Sequence, residues 1–548
     1  MQEQIRRLKT EAHTQVSTMA DAQLQGGHGG QGSQEGSFSR LLKKDHDYKP
    51  LSLSDPDKVI GIVAHAIDQG PDTANDLPDE QENPFVPAGY TYFGQFVDHD
   101  LTFDTRSTLQ TIEGGLSSFP NDERTPRLDM DCLYGLGPSS APFMYDEDGR
   151  LATNPDKPFD LPRSAIRFKP DDPASHRAII GDPRNDENSI VCQLQLAFIQ
   201  FHNAMIAHFK QQGMAGGTLF RAAQREVRFT YQKIVVTDFL KRIVQKPVYE
   251  DFVQDRSAGG DKAYKLYKKG ELRHALPLEF TGAAYRFGHS GVRNAYRLNE
   301  KFQRLIFNGA DDATESLVGF GDLPENHKID WSLFVTDKLA PGAKGNNPSQ
   351  IGGQDVPTDS PRLQYAYKLD TSLVNPLLTL PPRIGGAGPL FNSLAARNIK
   401  RGYNFSLPSG QDVAKALGVG RHPPLRFGDR LLAFKDMPGM SAADAAALEE
   451  KTPLWLYILA EGQACLAKAD GSFAMKTEDG VTKIDKDSDV GTQLGPVGGR
   501  ILLEVFFGIL DDDPESYVHA EPGSWNSVVK AGSDTITLWD MLRFVGLV

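Results

Sequence analysis

The chain reads as a mainly α protein with long loops and few short strands. Three observations predict this: several stretches with apolar residues at helical spacing, a scarcity of alternating β-branched runs, and Pro and Gly scattered along the chain with no long dividing linker. Residues 1 to about 40 hold a polar helical stretch and then Gln25-Gly26-Gly27-His28-Gly29-Gly30-Gln31-Gly32-Ser33, a composition that cannot bury enough surface to order itself. Residues 1–45 are therefore expected to form a flexible leader and residues 46–548 a single domain. Helices are expected over residues 189–202, 219–246, 390–400 and 454–467, all apolar enough to be central. The acidic, Gly-rich stretches 259–261 and 470–489 read as surface excursions.

Composition excludes several classes of function. With 548 residues, 39% hydrophobic and 9% aromatic, the chain can bury a large core. Its net charge of −13 and pI near 5.5 argue against nucleic acid as a partner, since binding the phosphate backbone needs clustered Lys and Arg. Apolar runs such as residues 501–510 are broken by charge and fall short of the roughly 20 residues that span a bilayer, so no membrane span is expected. The start, Met1-Gln2-Glu3-Gln4-Ile5-Arg6-Arg7, lacks the apolar stretch of a secretory signal. Cys132, Cys192 and Cys465 sit in apolar settings and read as small buried hydrophobes rather than a disulfide framework. A cytoplasmic location is expected, or export by a route without a cleavable N-terminal signal.

The densest chemistry lies in Phe93-Gly94-Gln95-Phe96-Val97-Asp98-His99-Asp100-Leu101. On a helix Gln95 and His99 share one face, and Asp98 and Asp100 flank it on opposite sides, so one helix can serve two ligands. Charged groups among apolar neighbours need partners, a metal or a shifted pKa. Three further segments match it in oddity: the polar loop Gly181-Asp182-Pro183-Arg184-Asn185-Asp186-Glu187-Asn188 opening an apolar helix, Tyr285-Arg286-Phe287-Gly288-His289-Ser290, and Asn398-Ile399-Lys400-Arg401-Gly402.

In this order the four segments resemble the haem-dependent peroxidase-cyclooxygenase superfamily, the animal-type peroxidases. The likeness spans residues 94–401, with a weaker continuation at Leu494-Gly495-Pro496-Val497-Gly498-Gly499-Arg500. The resemblance implies a fold whose central helices sandwich haem b. It implies that His99 is the distal acid–base group, taking the proton from the inner peroxide oxygen and returning it to the leaving one. Arg184 would supply fixed positive charge there, and Gln95 would orient water and peroxide. His289 would be the axial ligand of the haem iron, with Asn398 fixing its tautomer. Arg286 and Arg401 would pair with the haem propionates. Asp98 and Glu187 match the carboxylates that form haem esters in mammalian members. Position 188 is Asn rather than Met, so no sulfonium link is expected, and donors such as phenols, bromide, iodide or thiocyanate fit better than chloride.

The same resemblance places a Ca2+ site at Asp100 with Thr125, the Arg127 carbonyl, Asp129 and Asp131, a set of oxygens that suits this cation. Asp131 stands where mammalian members usually carry Ser. His202-Asn203 matches a structural position, and the remaining histidines match no motif. The implied activity is reduction of hydrogen peroxide with oxidation of small donors through an oxoferryl state. A fatty-acid dioxygenase of the same superfamily is the alternative. It needs a tyrosine three residues before the proximal histidine, where this chain has Arg286, with Tyr285 one residue off. A haem-binding scaffold without turnover would have no use for the trio His99, Arg184 and Gln95.

Overall fold

The computed structural model describes residues 38–548, apart from 68–81, 104–123, 165–175, 260–262, 269, 271–274, 309–315, 339–362, 382–383, 385–391, 420–433, 464–474, 479–480, 485–491 and 522–524. Helices α1 (Gly89–Leu101), α2 (Ser189–Gln211) and α3 (Gly216–Ile234) form its centre. Their apolar positions meet as a ring cluster. Phe96 of α1 stacks on Phe198 of α2 with centroids 4.7 Å apart, and Phe93 meets Tyr231 of α3 edge-on at 6.1 Å. Each such pair adds about 0.5–1.5 kcal/mol beyond the area it buries.

The α2 helix begins where Asn188 caps it, its side chain accepting from the N–H groups of Ile190 and Val191 at 3.1 and 2.9 Å. By length and composition α2 could cross a membrane, but 83% of its most apolar window is buried in the protein. α3 runs on through a π-helical turn, Val235–Phe239, into Leu240–Ile243. Asp238 of that turn accepts from Tyr90 at 2.5 Å and from Arg242 at 2.7 Å, which ties α3 to α1.

Helices α4 (Leu394–Asn404), α5 (Leu454–Gln463) and α6 (Pro496–Asp512) complete the frame. α6 is buried along nearly its whole length, and its two interior charges, Arg500 and Glu504, pair with each other at 2.9 Å. The buried Glu461 of α5 accepts from the α6 backbone at Val497 and Gly498, 3.0 and 3.1 Å away. Among the described residues the strands form antiparallel pairs only: β1 (Glu82–Pro87) with β4 (Tyr365–Tyr367), β2 (Ala295–Asn299) with β3 (Phe302–Leu305), and β5 (Met475–Glu478) with β6 (Val481–Ile484).

The mainly α architecture is as expected. The expected helix over 219–246 runs as far as Ile243 and contains a π turn in which Asp238 and Phe239 are both buried. The stretch 470–489, expected as a loop, contains the β5–β6 hairpin. The leader expected over 1–45 is too long: Ser39 exchanges backbone hydrogen bonds with Leu276 and Leu278 at 2.8 and 2.9 Å, and the N–H groups of Leu41 and Leu42 donate to the buried Glu279 carboxylate. Residues 1–37 lie outside the described residues. Cys132 and Cys192 are free and buried as expected, whereas Cys465 is not among the described residues.

Candidate active site

α1 presents Gln95, Asp98 and His99 to a cavity of about 500 Å³, the size of a small-molecule or cofactor site. The loop before α2 is held by two close backbone approaches, one to residues 131–135 and one to Gly319. A Cβ on Gly181 would stand 2.6 Å from the Asp131 carbonyl, and one on Gly319 would stand 2.0 Å from that of Asp186. Arg163 clamps the same loop from below, bridging Asp160 and Asp186 at 2.7 and 2.8 Å.

The loop delivers Arg184 and Glu187 to the cavity wall. Arg184 forks onto the buried Asp182 carboxylate at 3.0 and 2.7 Å and reaches the carbonyls of His99 and Thr102. Burial opposes the charge of Asp182, but the hydrogen bonds and charges of Arg184 and Arg124 outweigh it and hold the group down to about 2. Gln95 bridges the loop: its amide donates to Glu187 at 3.3 Å and accepts from Asn188 at 3.2 Å. Burial pushes Glu187 up to about 7 against the pull of Arg184 and Gln95. Burial, reinforced by Arg184, lowers His99 to about 4, so its ring is neutral at physiological pH. Its Nδ1 lies 2.7 Å from Asn185 Oδ1.

The other wall comes from the 3₁₀ turn Ala284–His289 and from α4. Trp455 of α5 anchors the turn by donating to the Arg286 carbonyl at 3.0 Å, while the Arg286 side chain donates to Thr281 O at 2.8 Å. His289 and Asn398 meet at 2.8 Å between Nδ1 and the amide nitrogen. In that orientation the amide donates and Nε2 carries the proton. Turning the amide by 180° lets Nδ1–H donate to Oδ1 and frees the Nε2 lone pair, the form that a metal at Nε2 requires. Burial and then the charges of Arg286, Arg401 and Arg397 lower His289 to about 3, so it too is neutral.

His99 and His289, the two expected histidines, therefore line one cavity together with Arg184, Gln95, Asp98, Glu187, Arg286 and Arg401. His99 is buried and His289 half-buried; both are neutral and held at one ring nitrogen by a side-chain amide. That is a fit for a group ligated on one side and worked upon from the other. Guanidinium groups on the same wall suit an anionic periphery such as propionates.

Three contributors escaped the sequence reading. Asp182 sets Arg184, and its signal was the Asp-Pro-Arg spacing that lets a side chain accept from the residue two ahead. Asn185 lay unread inside the quoted loop. Arg397 also lines the cavity, and burial lowers it to about 10 against the favourable charge of Glu187. It is one turn from Arg401 on α4, a spacing that was legible.

Asp100 is absent from the cavity wall and fully buried on the other side of α1. Neither of its oxygens makes a hydrogen bond of ordinary geometry, although the Met130 backbone and the Tyr231 hydroxyl lie alongside. Burial and then the neighbouring Asp129 and Asp131 push Asp100 well above the carboxylate range. Burial and Asp131 raise Asp129 to about 7. Thr125 donates to Asp129 at 2.5 Å, and the Arg127 side chain turns outward to Asp513 at 3.7 Å. The orphaned oxygens of Asp100 and its repulsion by Asp129 and Asp131 fit a cation, yet among the described residues no three His, Cys, Asp or Glu side chains converge at ligand spacing. His202, by contrast, is structural as expected, bonded to Tyr134 and to the Gly149 carbonyl.

Comparison with known proteins agrees with this geometry. The family profile described as animal haem peroxidase matches residues 117–316. Chorion peroxidase of Drosophila melanogaster is 25% identical over 244 residues, which cover 44% of this chain and 26% of that protein. Peroxidase A from Dictyostelium discoideum shares the fold with a TM-score of 0.54 at 13% identity, over 93% of each chain. A fatty acid alpha-dioxygenase of Oryza sativa aligns over 88% of this chain and 76% of its own at 15% identity, with a TM-score of 0.47. Over residues 117–316 the chain thus resembles the animal haem peroxidases, and its fold is that of Peroxidase A.

Proposed function

We propose that the protein is a peroxidase that binds haem b between His289 and His99, reduces hydrogen peroxide, and oxidises small donors such as phenols, bromide, iodide or thiocyanate. The observation that carries this reading is the pair of neutral imidazoles lining one cavity, His289 beside a cluster of guanidinium groups and His99 beside Arg184 and Gln95. When bound, haem supplies the redox chemistry. His289 would hold its iron, and Arg286, Arg401 and Arg397 would face its propionates. His99 Nε2 accepts a proton from one peroxide oxygen and returns it to the other, so that the departing group leaves as water. A ring lowered to about 4 is unprotonated and ready for the first of these transfers. Arg184, held rigid by Asp182, supplies positive charge where the departing oxygen becomes negative, and Gln95 orients the peroxide. Asp98 and Glu187 line the cavity; an ester from either to a haem methyl would require hydrogen peroxide to oxidise that methyl by two electrons, the carboxylate oxygen replacing one hydrogen and the peroxide leaving as two waters. Asp100, Asp129, Asp131, Thr125 and the Arg127 carbonyl would hold Ca2+ and tie α1 to the loop after residue 124.

The test is the optical spectrum of protein loaded with haemin, before and after acid-acetone extraction, with peroxide-dependent oxidation of a phenolic dye. His99→Ala is expected to keep haem and lose at least about 100-fold in turnover, whereas His289→Ala loses haem. A colourless preparation that takes up no haemin, or full turnover in His99→Ala, would overturn the reading. The dioxygenase alternative rests on Tyr285, whose hydroxyl is buried without a hydrogen-bond partner and whose ring lines the cavity. Oxygen consumption with linoleate that Tyr285→Phe abolishes would favour it.

A further inference from the structure

We propose that Asn185 and Gln195 form a buried amide relay that fixes the tautomer of His99, which makes Asn185 a positioning residue for the proton-transfer group. This deepens the peroxidase reading and rests on it. The polarity of the relay is set from its far end. The Cys132 carbonyl can only accept, so Gln195 turns its amide nitrogen toward it, at 3.5 Å. Gln195 Oε1 then faces Asn185 and accepts from its Nδ2 at 2.8 Å. Asn185 therefore presents Oδ1 to His99, 2.7 Å from Nδ1. An oxygen there can only accept, so Nδ1 carries the proton and Nε2 faces the cavity as a lone pair.

No water is needed to complete the chain, because Asn185, Gln195 and Cys132 are each 0% exposed. The relay joins the loop before α2, α2 itself, and the short helix Asp131–Tyr134. The Asn185 backbone is held in turn by its N–H bond to the Asp182 carbonyl at 3.1 Å. In the opposite tautomer Nε2 would carry a proton into the cavity. His99 would then be a donor where the reaction needs an acceptor, a fault that orientation elsewhere in the site cannot repair.

The full-length chain reconstituted with zinc protoporphyrin, which is diamagnetic, allows the tautomer to be read directly from imidazole ¹⁵N shifts, with the His99 signals identified by their loss in His99→Gln. The haemin-loaded chain gives the second-order rate of its reaction with peroxide by stopped-flow absorbance. In wild type and Asn185→Asp, which keeps an acceptor at Oδ1, His99 is expected in the Nδ1–H form with peroxide rates within a fewfold of each other. Asn185→Leu should shift His99 toward the Nε2–H form and slow the peroxide reaction about tenfold or more while leaving the donor KM unchanged. Gln195→Met, which lets the Asn185 amide turn over, should do the same in part, and it decides the matter if Asn185→Leu does not fold. Retention of the Nδ1–H form and of wild-type peroxide rates in Asn185→Leu, or in Gln195→Met where it stands in, would overturn the relay. A wild-type protein that binds haemin but does not react with peroxide would instead overturn the peroxidase reading, and the ¹⁵N tautomer would still decide the relay.

Discussion

Arg184 shows how much a single side chain depends on one that is not in the cavity. Its guanidinium is planar and can engage both oxygens of Asp182 while still reaching the carbonyls of His99 and Thr102. A lysine has three donors on one nitrogen and lacks the planar fork that engages both Asp182 oxygens in parallel while reaching the carbonyls. Arg184→Lys is therefore expected to slow the peroxide reaction about 10- to 100-fold with haem uptake unchanged, measured by stopped-flow absorbance. Backbone approach is as strict as charge at this scale. A methyl group on Gly319 would lie 2.0 Å from the Asp186 carbonyl. Gly319→Ala should cost about 1–3 kcal/mol and lower the midpoint of urea unfolding; an unchanged midpoint would mean that the loop carrying Arg184 can yield.

At the scale of elements, α2 owes both its start and its place in the site to Asn188. The side-chain oxygen caps the first turn, and the amide nitrogen reaches across to Gln95 on α1. Asn188→Ala removes both functions together. About 1 kcal/mol of stability should be lost, along with part of the peroxide rate, whereas Asn188→Asp should restore the cap but not the contact with Gln95. Comparing the two by thermal unfolding and by stopped-flow separates capping from orientation. The four motif-bearing segments were legible because each packs unusual residue types into a short span. The cap was not read as such, since Asn188 drew notice only as the place of a missing methionine.

For the whole molecule, the acidic cluster couples stability to pH. Without a cation, the folded state holds the Asp129 proton up to about 7, against an ordinary value of 3.8. The folded form thus binds protons that the unfolded form releases, so this contribution is full below about 3.8 and is lost as pH rises through about 7. Glu461, pushed up to about 7 by burial, acts in the same direction. If the proposed cation binds at Asp100, Asp129 and Asp131, it would replace the protons and reverse the loss. EDTA should therefore lower the thermal midpoint of purified protein clearly at pH 8 and little at pH 5. Added Ca2+ should restore it, and no EDTA effect at pH 8 would dismiss the cation.

The sequence by itself determined the mainly α class and the order of the four unusual segments, and the resemblance they carry singled out His99, Arg184, Gln95, His289 and Asn398 as candidates for one site. The class follows from helical spacing, and the segments stand out because their residue types are costly to bury without a purpose. Only the tertiary structure decided that residues 38–45 join the domain, that α3 passes through a π turn, that Arg397 enters the cavity, and that Asn185 and Gln195 stand behind His99. Each of these depends on which side chain meets which across segments distant in the chain. An amide's hydrogen-bond partner is set by packing, and local sequence carries no trace of it.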